Sequence, residues 1–180
     1  MNYQTIAEIY EANTKIRQKL KSVVSGLTDE QVSFRPQETS WTIGEIVEHI
    51  SIVENGIATI CSRLLQKSAE ENVAGDGRAN FSSEFLEKAA GLPDRRTRKL
   101  QAPERVVPTG TLSLAEAFAR MEQTAGLLNE IRPGLETVDT RKFKFPHPYF
   151  GDLNAAEWIA VIGGHERRHI DQIEEILSRQ

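Results

Sequence analysis

The chain has 180 residues, a formal net charge of −4 and a single cysteine, Cys61. That length suffices for one domain with its own core, taken as residues 1–180, and a lone cysteine excludes both an intrachain disulfide and a thiolate metal cluster, which points to a reducing, cytoplasmic setting. The acidic balance gives no electrostatic footprint for nucleic acid, the N-terminal MNYQTIAEIYEANTK lacks a basic region followed by an apolar run, and nowhere do about 18 apolar residues follow one another as a membrane span requires.

From Tyr3 to Leu27, apolar residues recur at three- and four-residue steps (Ile6, Ile9, Tyr10, Ile16, Leu20, Val23, Val24), which predicts a first amphipathic helix. In the connection that follows, Thr28 with Gln31 has the form of a capping box for one short turn, and Pro36 stops any continuation. Thr42 with Glu45 marks the start of a second helix whose stripe runs Ile43, Ile46, Val47, Ile50, Val53, Ile57, Ile60, Cys61, Leu64, to about Lys67.

Residues 68–110 are irregular and punctuated by glycine and proline, with FSSEFLEKAA as a short helix inside; so long a connection is expected to cover one end of the molecule. Its densest basic stretch, Asp94 to Lys99, reads as a solvated loop or substrate rim. Ser113 with Glu116 opens a third helix, which Arg132-Pro133-Gly134 should end at Ile131. LETVDTRKFKFPHPYFGDL is a loop with at most a little extended structure, and Asn154 with Glu157 caps a last helix that continues nearly to Gln180. Four main amphipathic helices without a convincing strand make the fold all-α, a four-helix bundle with a long irregular connection between the second and third helices.

The last helix contains GGHERRHIDQI. At about 100° per residue, Trp158, Ile162, His165, His169, Ile173 and Ile176 share one face, so both histidines point into the bundle, one turn apart, where two ring nitrogens can reach one ion. His49 lies at the edge of the second helix's stripe and is the candidate third ligand; three imidazoles leave open positions, as catalytic rather than structural sites do. Glu166 falls on the apolar face and needs a partner: it could be a general base, orient a histidine, or pair with an arginine, the last being the safer reading, and Glu54 carries the same ambiguity. The pair Gly163-Gly164 costs about 1 kcal/mol per residue against alanine and calls for close helix packing or room beside His165. His147, between two prolines, reads as part of a packed turn near the pocket mouth, and Cys61 as a small core residue. HERRH also satisfies H-E-x-x-H, which makes a metallopeptidase a rival.

Together, SWTIGEIVEHI and FPHPYFGDLNAAEWIAVIGGHERRHIDQI resemble the DinB-like (DinB/YfiT) superfamily. The resemblance implies a four-helix bundle whose divalent metal, commonly nickel, zinc or iron, is held by three histidines, here His49, His165 and His169. It weakens the peptidase rival, whose metal helix packs beneath a sheet. It implies transfer of low-molecular-weight thiols, metal-dependent hydrolysis or isomerisation, and frequent dimers. The leading expectation is a thiol S-transferase acting on an electrophilic small-molecule substrate, with a homodimer as the assembly that the resemblance implies. The alternatives are a hydrolase using a metal-activated hydroxide with Glu166 as base, and a metal-binding stress or interaction protein without turnover.

Overall fold

The structure is a computed structural model that describes residues 3–91 and 101–180; the basic stretch Asp94 to Lys99 lies outside the described residues. In chain order the helices are α1 (Ile6–Val24), α2 (Asp29–Ser33), α3 (Ile43–Glu70), α4 (Ser83–Ala90), α5 (Leu114–Thr137) and α6 (Ala155–Leu177). A single 3-10 turn, Glu104–Val106, precedes α5, and a hairpin of β1 (Phe145–His147) and β2 (Gly151–Leu153) precedes α6. The bundle is formed by α1, α3, α5 and α6.

The capping boxes at Thr28/Gln31, Thr42/Glu45, Ser113/Glu116 and Asn154/Glu157 all form: each cap side chain accepts from the amide three residues on, and that residue's side chain accepts from the cap's own amide. Another, Thr5 with Glu8, starts α1.

The third predicted helix does not stop at Arg132-Pro133-Gly134; α5 continues to Thr137 with Pro133 inside it. Proline removes one ladder donor there, but the continuation buries Leu135 and sets Gly134 against α3. A Cβ on Gly134 would lie 2.7 Å from the Leu65 side chain, and Arg132 pairs with Glu136 across the proline at 2.8 Å. Tertiary packing thus outweighs the local stop signal.

Residue pairing fixes the helix directions. Gly134 meets Leu65 near the C-terminal ends of α5 and α3, so these neighbours run parallel. Asn13 reaches Ile159 and Arg17 reaches Glu166, so α1 and α6 also run parallel. Cys61 contacts Ala155 while His49 contacts His165, so α3 and α6 are antiparallel. A parallel pair cannot be joined by a tight turn. The connection from α3 to α5 must travel back along the bundle, which is why residues 71–113 are so long. On the way the chain bridges Ala74 to Val138 and Arg78 to Thr5, and buries Phe85 of α4 in the core.

The core is two apolar clusters, not one. Ile6, Ile9, Ile57, Cys61, Leu64, Phe85 and Ile159 belong to the first; Leu20, Val24, Ile43, Ile46, Met121, Ile170 and Ile173 to the second. Between them along α1, α3, α5 and α6 lie Arg17, Glu54, Thr124 and Glu166. Glu54, Thr124 and Glu166 are buried there, at 5 %, 1 % and 1 % exposure.

Candidate metal centre

His49 is supplied by the N-terminal half of α3, and His165 and His169 by successive turns of α6. Because α3 and α6 run antiparallel, these segments sit at the same level. The three imidazoles meet: His49 Nε2 lies 3.1 Å from His165 Nε2, which lies 3.2 Å from His169 Nε2. His49 is 4 % exposed and His169 9 %.

The other ring nitrogens decide what these three can do. His49 Nδ1 donates to the Val106 carbonyl at 2.6 Å, and His169 Nδ1 donates to the Gln172 side-chain oxygen at 3.0 Å. A carbonyl oxygen only accepts, so each Nδ1 carries the proton and each Nε2 presents a lone pair. A proton on His165 Nε2 can be directed at only one of its two neighbours. A cation at the point of convergence satisfies all three. Nitrogens each about 2.0–2.1 Å from a tetrahedral ion are separated by about 3.3–3.4 Å, close to the His49–His165 and His165–His169 spacings, and all three ligand atoms lie within 4.8 Å of one another. The donor set therefore fits a divalent metal, and His49, His165 and His169 are the residues that could hold it. Burial holds the His49 imidazole below its ordinary pKa, with the Val106 carbonyl opposing; His165 is pushed well below by burial and by its histidine neighbours. Both are neutral at pH 7, the form a metal ion needs.

Glu48, next to His49, anchors the segment that orients it. Its carboxylate accepts from the Thr109 amide at 3.0 Å, the Thr109 hydroxyl at 2.7 Å and the Gly110 amide at 2.8 Å. These bonds press residues 104–110 onto α3 and bring the Val106 carbonyl to His49. Nothing in the sequence pattern marks Glu48 or Val106 for these roles, since a backbone carbonyl has no residue-type signature. Gln172 is more accessible from sequence, lying three residues after His169 and so on the same helix face.

Glu166 is 1 % exposed and paired, as a carboxylate at that position requires. Arg17 donates through Nε to its Oε1 at 2.7 Å and through a terminal nitrogen to its Oε2 at 3.4 Å, while the same guanidinium reaches Glu54 Oε2 at 2.6 Å. Burial raises the Glu54 carboxyl to about 7, against the pull of Arg17. Gly163 gives α1 close approach to α6: an added Cβ would lie 2.3 Å from Asn13 Oδ1. His147 sits in the hairpin turn, its Nδ1 accepting from the Tyr149 and Phe150 amides at 3.0 and 3.2 Å. Cys61 is fully buried, and burial pushes its thiol far up from its ordinary pKa, as suits a core residue.

A cleft of about 990 Å³ opens beside His169. His169 and Gln172 border it, with Trp41, Pro36, Val107 and Ile176 supplying apolar wall and Arg168 and Arg179 charge. The Trp41 ring lies 4.7 Å from that of His49 and stacks at 6.5 Å on that of His169. A second depression, of about 110 Å³, lies among Asp76, Arg78, Asp139 and Asn154 and has none of the histidines in its wall. Among the described residues no helix is long and apolar enough to cross a membrane.

The chain is similar to proteins already known. It is 27 % identical over 157 residues to the uncharacterized protein YuaE of Bacillus subtilis (strain 168), covering 87 % of this chain and 89 % of that one. The crystal structure of TT2238, a four-helix bundle protein, superimposes with a TM-score of 0.63 at 20 % identity, over 95 % of this chain and 99 % of the other, which shows the shared fold. The sequence profile of the DinB superfamily matches residues 12–173. With the match spanning all four bundle helices and all three histidines, the chain belongs to the DinB superfamily.

Proposed function

We propose that this protein is a metal-dependent enzyme in which His49, His165 and His169 hold one divalent cation, nickel, zinc or iron, and which transfers a low-molecular-weight thiol to an electrophilic small molecule. The observation that carries the reading is the convergence of three Nε2 atoms, two of them on rings fixed by bonds at Nδ1, with His169 lining an open cleft. Three imidazoles leave positions for outside ligands, and imidazole suits each of these metals. When bound, such an ion supplies a thiolate at neutral pH, because coordination deprotonates a thiol. The chain's own residues do the rest. Val106 and Gln172 hold two imidazoles in register, Trp41 packs against the same two rings, and the cleft has the volume of a small-molecule site.

The pairing of Glu166 favours thiol transfer over hydrolysis with that residue as base. Both its oxygens are engaged by Arg17 and it is almost wholly buried, so it is poorly placed to accept a proton from water. The reading is tested by incubating metal-loaded protein with a panel of thiols and a chromogenic electrophile such as 1-chloro-2,4-dinitrobenzene. Consumption above the uncatalysed rate should require both thiol and metal and be lost in His169→Ala. Ester turnover without thiol would favour the hydrolase. No turnover of either kind, with metal raising the melting temperature, would leave a non-catalytic metal protein.

A further inference from the structure

Gln172 occupies an unusual position for a residue that orients a metal-binding histidine. Its Oε1 accepts from His169 Nδ1 at 3.0 Å, while the side chain also forms part of the cleft wall. The amide has a second polar end. Its Nε2 makes no hydrogen bond among the described residues, so two N–H donors stand at the cleft beside His169. A glutamate would serve the histidine at least as well, since a carboxylate is the stronger acceptor. What glutamine adds is the donor. The apolar surface near it, Trp41 and Val107, gives a ligand's hydrocarbon part a place to lie, and Arg168 and Arg179 line the same cleft.

We propose that Gln172 does two jobs: its oxygen fixes the His169 imidazole, and its amide N–H groups bind a carbonyl or carboxylate oxygen of the small molecule in the cleft, selecting thiols that carry such an acceptor near the sulfur. The substrate half of this rests on the thiol-transfer reading. The two jobs are separable by substitution, because Gln172→Glu keeps the acceptor and removes the donors whereas Gln172→Met removes both at similar volume.

The experiment uses the full chain loaded with Co(II). Metal affinity is read by chelator competition, and thiol binding by the thiolate-to-cobalt absorption band, with methyl 3-mercaptopropionate and 1-butanethiol as probes. These are neutral and of similar length, and only the ester bears a carbonyl. Q172E should bind cobalt within about 3-fold of the native protein and Q172M about 10–100-fold more weakly. The ester-to-butanethiol affinity ratio should fall about 5–10-fold from native protein to Q172E, the loss of one hydrogen bond; comparing the ratio between proteins cancels the two thiols' own acidities. An unchanged ratio in Q172E would overturn the selecting role while leaving thiol binding intact. Native affinity for cobalt in Q172M would overturn the orienting role. A native protein whose cobalt band responds to neither thiol would overturn the thiol-transfer reading itself, and the substrate half with it.

Discussion

His147 is held neutral by what its ring does. Nδ1 accepts from two backbone amides, the ring lies against Phe150 and Trp158 at 4.8 and 5.1 Å, and burial, with the Arg105 charge in second place, lowers its pKa to about 4. Between about pH 6.5 and pH 4 an unfolded chain takes up a proton that the folded one refuses. The His147 contribution to stability is therefore fully present above pH 6.5 and falls as the pH drops through that window, by about 1–2 kcal/mol for this partly exposed ring after solvent screening. His147→Asn keeps a side-chain acceptor for the turn and does not titrate. Melting curves of metal-free protein against pH should show a shallower acid slope for it than for the native chain; an identical slope would mean that His147 contributes nothing to acid sensitivity. The prolines flanking His147 made a stiff turn legible in the sequence, but which ring nitrogen faced the backbone was not. Glu166 is a similar case. Its place on an apolar face showed that it needed a partner, whereas Arg17, more than a hundred residues away in the chain, could be found only by folding.

Helix starts were legible because they are local: a hydroxyl or amide at the cap and a Glu or Gln three residues later act within one turn. The end of α5 was not, because Gly134 and Leu135 are held by α3, and the proline's local cost was outweighed by packing that no window of sequence contains. The same reasoning bears on Gly163. Alanine there should gain about 1 kcal/mol of helix propensity, yet its Cβ would meet Asn13 Oδ1 at 2.3 Å and Ile16 Cδ1 at 3.0 Å, and Asn13 is tied to the Ile159 carbonyl at 2.9 Å. Gly163→Ala should lose about 1–3 kcal/mol in denaturant unfolding, and pairing it with Asn13→Ala should recover part of the loss. Additive effects in that cycle would contradict the contact. Loosening the 104–110 segment has a different signature. Glu48→Ala leaves Thr109 and Gly110 without their acceptor, and should weaken metal binding about 10-fold through the Val106–His49 bond while helix content is unchanged. Circular dichroism beside a chelator titration reads both.

The bundle as a whole is two apolar halves joined by one charged layer, in which Arg17 of α1 binds Glu54 of α3 and Glu166 of α6. Those last two helices carry the three histidines, so the layer ties together the elements that form the site. Arg17→Met would strand two buried carboxylates and should cost about 3–5 kcal/mol, whereas replacing all three residues by methionine should be neutral or stabilising. If urea unfolding showed the triple variant as damaged as the single one, the layer would be needed for more than mutual neutralisation. The all-α class and four main helices could be read from periodicity alone; the parallel arrangement of α3 with α5 was foreshadowed only by the length of the chain between them. The central claim is that His49, His165 and His169 form one metal site. Elemental analysis of untagged protein, after loading and dialysis, beside the variant with all three histidines replaced by alanine, tests it most directly. About one divalent ion per native chain and none in the variant is the expected result; native protein that fails to retain a stoichiometric ion, or a variant that retains one, would contradict it.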